Sequence, residues 1–166
     1  MHIREADSGE IPALSDLIRD AFRDVAETFG LTRENCPKHP SNLTDEWIEN
    51  DLDRGVIYYV LENDGISAGC VALEKAGPDL CYLERLAVLP ANRRNGFGKA
   101  LVDHVIAQAR GLGAKKISIG VIADDTNLKR WYRKLGFVEL ETQAFEHLPF
   151  LVTFMSYEIA ACPPSR

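Results

Sequence analysis

Apolar positions along the chain alternate at two periods, and the switches between them define the predicted elements. Residues 2–6 alternate weakly, as a short first strand does, and Asp7 followed by Glu10 forms a D-x-x-E capping signal. Ile11, Leu14, Leu17, Ile18 and Phe22 then fall on one face of a helix. From about residue 28 to 41 the period is lost and Gly30, Pro37 and Pro40 appear, which predicts a long loop. Thr44 is placed to cap a second helix, with Leu43 and Ile48 as a hydrophobic staple and Gly55 as its end. Residues 56–62 and 66–75 read as strands joined by the hairpin signal Asn63-Asp64-Gly65. A turn at Gly77-Pro78-Asp79 leads to a third strand over 80–88.

Beyond Pro90, Leu101, Val105, Ala109 and Leu112 mark a helix that opens at Gly96 and closes at Gly113. A strand over 116–122, a helix over about 126–135 ended by Gly136, and an antiparallel pair over 137–145 and 150–159 complete the chain. The order β-α-α-β-β-β-α-β-α-β-β predicts an α+β fold, with a mixed, mostly antiparallel sheet flanked by helices. One domain over 1–159 is expected, followed by a disordered tail over 160–166 that contains Pro163 and Pro164.

Composition narrows the function. A chain of 166 residues with 46% hydrophobic and 27% charged residues has enough apolar content for one core. Nineteen Lys and Arg against 25 Asp and Glu leave a net charge of −6, which argues against nucleic acid or an anionic membrane as partner. Cys36, Cys70, Cys81 and Cys162 form no C-x-x-C pair, so neither a metal nor a disulfide framework is expected. With no apolar run of signal or membrane-span length, the expected location is the cytoplasm.

The chemistry concentrates in Arg93-Arg94-Asn95-Gly96-Phe97-Gly98-Lys99, between a strand and a helix start. Free N–H groups and the positive end of the helix dipole converge there on an anion. Glycines at 96 and 98 let a pyrophosphate approach the backbone, and Arg93, Arg94 and Lys99 add charge. A P-loop would need glycine at position 93 and Ser or Thr at Ala100, and a Rossmann turn would need glycine at Leu101. Neither pattern is present.

The turn resembles the acetyl-CoA signature R/Q-x-x-G-x-G/A of the GCN5-related N-acetyltransferase superfamily, met by Arg93, Gly96 and Gly98. Leu86-Ala87-Val88-x-Pro90 before it and Tyr132-x-x-x-Gly136-Phe137 after it match two further motifs in family order, so the resemblance covers roughly 1–159. It implies acetyl-CoA as co-substrate, with the pyrophosphate held by amides from about Arg94 to Lys99. Backbone groups of Leu86 and Val88 would align the pantetheine arm beside a bulged, splayed strand. The implied acceptor is the amine of a small molecule or peptide, and the protein is expected to be a monomer or homodimer.

An amine must lose its proton before it attacks, and Glu84, read as sharing a strand face with Leu86 and Val88, is the candidate general base. A structural or substrate-binding carboxylate is the competing reading. The histone-modifying branch of the superfamily keeps its glutamate at the place Tyr82 occupies, and polyamine-modifying members resemble the present arrangement more. By resemblance, Tyr132 is the acid that assists the leaving thiolate, against a packed helical aromatic. Where many relatives carry an asparagine that bonds pantetheine, Asp125 stands here. Either Asp125 or Asn127 takes that role, or Asp125 caps the helix.

On the acceptor side, His39 within the loop 36–42 lines a pocket or is solvated. The acidic run Glu34, Asp45, Glu46, Glu49, Asp51 and Asp53 reads mainly as a solvated face, and the turn 147–150 is a further pocket edge. A non-catalytic acetyl-CoA or CoA-binding module and an O-acyltransferase are the alternatives to N-acetyl transfer.

Overall fold

The computed structural model describes residues 1–160; the part of the predicted tail beyond them, Cys162 included, lies outside the described residues. Strands and helices follow in the predicted order: β1 (His2–Glu5), α1 (Ile11–Phe29), α2 (Asp45–Asp53), β2 (Ile57–Asn63), β3 (Ile66–Lys75), β4 (Leu80–Val88), α3 (Phe97–Gly111), β5 (Lys116–Ile122), α4 (Thr126–Lys134), β6 (Val138–Gln143) and β7 (Val152–Glu158). The strands form one sheet in the order β1-β2-β3-β4-β5-β7-β6, antiparallel except where β4 meets β5.

Alternation along the central strands sends side chains to two apolar layers. Leu61, Val71, Leu73, Leu83, Ile117 and Met155 pack with Leu101, Val102 and Val105 of α3 and with Tyr132 of α4. Tyr58, Val60, Cys70, Ala72 and Ala87 on the opposite face pack under Leu14, Ile18 and Ala21 of α1 and Ile48 of α2. The helices α1 and α2 thus cover the β2–β4 half of their face.

Several local expectations change. α1 runs on to Phe29, because Ala26 and Phe29 pack with Leu31 and Cys36, and it ends at Gly30 in the left-handed region (φ 64°). The Asp7–Glu10 capping box is present, but it closes a 3-10 turn ahead of α1. Thr44 precedes α2 without a side-chain cap bond. His39 is buried rather than solvated: it packs edge-on against Phe22, and its Nδ1 bonds Ser41 Oγ at 2.8 Å. The last two strands are shorter than predicted, since Leu148 and Phe150 leave the sheet to pack near Ala26 and Cys36.

Candidate active site

β4 and β5 pair only over Leu80–Tyr82 and Lys116–Ser118, although β4 continues to Val88 and β5 to Ile122. Beyond Tyr82 the strands part, and the backbone groups that face the gap have no ladder partner. A bulge in β4 accompanies the parting: Cys70 faces Ala87 and Ala72 faces Glu84, so two steps on β3 oppose three on β4. Within the extra step Arg85 takes φ 51°, left-handed for a residue with a β-carbon, at a cost of about 1–3 kcal/mol.

The bulge reverses the face assignment expected for Glu84. Leu86 and Val88 pack toward the α3 layer, whereas Glu84 shares the opposite face with Ala87. Strict alternation would have put 84, 86 and 88 together, and the inserted residue shifts everything after it by one. Glu84 is half-buried, and desolvation, reinforced by the negative charge of Glu74, raises its pKa above the usual carboxylate range.

Two grooves border the parted strands. The first, of about 850 Å³, is lined by Leu86, Ala87 and Val88, by Arg93, Arg94, Gly96, Phe97, Gly98 and Lys99, and by Asp125 and Asn127. Asn95 stands outside it, its amide bonded to the Asn92 carbonyl at 3.1 Å. The second, of about 450 Å³, lies on the sheet face beside α2 and is lined by Tyr82, Glu84, Ser118, Gly120, Glu141 and Phe154 among others.

At the head of the larger groove no side chain caps α3. The first backbone bond of this helix start runs from Ala100 N–H to the Gly96 carbonyl at 3.0 Å, which leaves the preceding N–H groups available to an anion. Gly96 is left-handed (φ 78°), as is Arg94 (φ 65°). Gly98 serves packing as well: a β-carbon there would lie 3.2 Å from Trp131 Cζ2.

Residues 12–137 match the Acetyltransferase (GNAT) family. The chain belongs to this acetyltransferase family. An amino-acid acetyltransferase of Neisseria meningitidis serogroup A is 32% identical over 148 residues, 89% of this chain and 29% of that protein. The chain therefore spans under a third of that relative's length. The N-acetylglutamate synthase of Neisseria gonorrhoeae, solved with coenzyme A and N-acetyl-glutamate, superposes with a TM-score of 0.68 at 27% identity, over 96% of this chain and 35% of that one. The yncA protein of Salmonella typhimurium, solved with acetyl-CoA, shares the fold with a TM-score of 0.73 at 18% identity, over 100% of this chain and 98% of that one.

Within this family member the three cations of the turn are deployed differently. Arg93 is committed to α1: it pairs with Asp24, donates to the Ala21 carbonyl at 2.7 Å, and bonds the Val88 carbonyl through Nε at 3.1 Å. Lys99 pairs with Asp103 at 2.6 Å on the exposed face of α3. Arg94 lines the groove with no ion pair among the described residues.

Asp125 Oδ1 accepts from Leu128 N–H at 3.1 Å and so caps α4, while Asn127 lines the groove without a side-chain bond among the described residues. Tyr132 is buried in the α3 layer, edge-on to Trp131 at 4.9 Å and to Phe137 at 5.2 Å. Burial raises the pKa of its hydroxyl, with no hydrogen bond or charge contributing to the shift. Glu84 lines the smaller groove, whereas Tyr132 is packed in the core on the opposite face of the sheet and lines neither groove.

Sequence reasoning missed the part of α1 that walls the groove, namely Phe22, Asp24, Val25, Thr28 and Phe29, together with Trp131 of α4. The Asn63-Asp64-Gly65 and Gly136 turns were legible from composition, but which helix covers a groove is a tertiary fact. Asp51, read within a solvated acidic face, is 4% exposed and accepts from Tyr58 Oη at 2.5 Å. His147 is exposed and lines neither groove.

Proposed function

We propose that this chain transfers an acetyl group from acetyl-CoA to an amine by direct attack in a ternary complex. The observation that carries the reading is the parting of β4 from β5, with an anion-binding groove on one side and a carboxylate-bearing groove on the other. Acetyl-CoA supplies an activated thioester and a pyrophosphate. The residues present fit it: the uncapped start of α3 and Arg94 offer donors to the pyrophosphate, and Leu86 and Val88 present strand backbone along the gap.

Glu84 faces the smaller groove, where it takes the proton of an arriving ammonium so that the neutral nitrogen attacks. An ordinary alkylamine has a pKa near ~10.4, so a carboxylate moved above its usual range is a better-matched acceptor than an unperturbed one. Unpaired N–H groups at the gap are placed to donate to the developing oxyanion. Tyr132 holds its proton firmly and donates a hydrogen bond to the departing sulfur from the other face. The new C–N bond replaces the C–S bond; the ammonium's first proton passes through Glu84 to solvent before attack, Glu84 then takes the second from the acylated nitrogen, and coenzyme A departs as a thiolate that takes a proton from solvent.

Glu84 and Glu141 line the acceptor groove against the single cation Lys116, which favours a cationic amine. The Neisseria relatives favour an amino acid as a second reading. Free-thiol release from acetyl-CoA across diamines, amino acids, aminoglycosides and peptides separates the two. At least one acceptor raises release well above hydrolysis; acetyl-CoA binding without any acceptor-dependent release would make the chain a binding module.

A further inference from the structure

We propose that Arg85, clamped by Asp51 and Tyr58, is a positioning residue that holds the β4 bulge and with it the Glu84 carboxylate at the parted strands. The inference rests on the reading of Glu84 as the base. Three observations carry it. Arg85 is the residue whose left-handed backbone forms the bulge, so its side chain leaves β4 on the α2 side beside that of Glu84. Its guanidinium bonds both Asp51 Oδ2 and Tyr58 Oη, and the Tyr58 hydroxyl donates to the same carboxylate oxygen, all of it buried or nearly so. This ties the bulge to α2 and β2 at once, which a surface arginine could not do.

The third observation is how the cluster divides its charges. Around Glu84 stand Glu74 of β3, Asp51 of α2, Arg54 at the C-terminal cap of α2, and Arg85 of β4, while Lys116 of β5 and Glu141 of β6 lie across the groove. Asp51 takes bonds from Arg85, Tyr58 and Arg54, the last at 2.7 Å, and Glu74 takes one from Arg54 at 2.6 Å. Glu84 alone of these three carboxylates has no hydrogen bond to any described residue. Its oxygens are left to the acceptor, and the Arg85 charge next to it opposes the protonation that burial and Glu74 promote. The cluster thus leaves the Glu84 carboxyl free of protein hydrogen bonds beside a fixed guanidinium that favours its ionised form.

The test titrates the Glu84 carboxyl by carbon-13 NMR, assigned by its loss in Glu84→Gln, and measures kcat/KM against pH for the same proteins. Arg85→Met raises the Glu84 midpoint by about one unit. It lowers kcat about 10- to 100-fold and leaves KM for acetyl-CoA within about two-fold. Arg85→Lys restores the midpoint but only part of kcat, because a flexible ammonium holds Asp51 Oδ2 and Tyr58 Oη less firmly than the planar guanidinium, whose Nη1 reaches both. If Arg85→Met orphans Asp51 and does not fold, the double variant Arg85→Met, Asp51→Asn removes the orphaned charge and still raises the midpoint, by less, because the Asp51 charge also favours protonation of Glu84. A Glu84 midpoint that stays put in a folded variant, with or without loss of kcat, overturns the proposal. A midpoint that rises while the acid limb of the rate profile does not follow supports Arg85 as the group that sets Glu84 and rejects Glu84 as the base.

Discussion

At the scale of single residues, the base role proposed for Glu84 links activity to stability with opposite signs. Its folded pKa lies above the ordinary value, so in the window between the two the folded state binds more protons, and ionising the group opposes folding. Stability falls as pH rises through that window, and the cost is fully present once pH exceeds the folded pKa. Glu84→Gln is expected to raise Tm at pH 7–8 while lowering kcat by roughly 10²- to 10⁴-fold and abolishing the acid limb of kcat/KM. Glu10 runs the other way: the Arg4 side chain and the Asp7 N–H hold its pKa down to about 2, so its contribution is lost as pH falls from the usual glutamate range toward that value. Chemical denaturation of Glu10→Gln against the parent should show the two converging at low pH. At Gly98, alanine would press on Trp131, and calorimetry should show acetyl-CoA affinity reduced several-fold with a stability loss of about 1–3 kcal/mol. The type of each of these residues was legible in the sequence. The face Glu84 adopts was not, because a one-residue bulge leaves no mark on the hydrophobic pattern.

At the scale of elements, the groove depends on α1 staying against the turn that precedes α3. Arg93 makes that connection, through Asp24 and two backbone carbonyls of α1 and β4. The pair is partly exposed, so its worth to global stability is small, under about 1 kcal/mol. Arg93→Ala is therefore expected to leave Tm nearly unchanged and to weaken CoA binding several-fold in a calorimetric titration. A loss of affinity matched by a large loss of stability would make Arg93 a folding residue instead. Element order and type followed from periodicity, since each helix buries one stripe and each strand alternates. Boundaries slipped where tertiary packing extended an element, as at Phe29, or where apolar residues left the sheet, as at Phe150.

Across the whole molecule, α3 and α4 cover one face of the sheet, while α1 and α2 cover only part of the other. The uncovered β4–β5–β7–β6 region provides the smaller groove. The fold therefore sets two grooves on either side of a gap that the sheet itself opens, which the proposed reading assigns to donor and acceptor. The family was readable in advance from three short motifs, whereas the gap, the bulge and the buried Arg85 cluster arise from pairing across distant segments. The central claim is that this gap holds the reacting centre. A crystal structure with coenzyme A bound tests it most directly. The account predicts the pyrophosphate at the start of α3 and the sulfur between β4 residues 86–88 and β5 residues 119–122, within reach of Tyr132 Oη. A sulfur lying outside the parted strands, with Tyr132 and Glu84 both remote from it, would contradict the account.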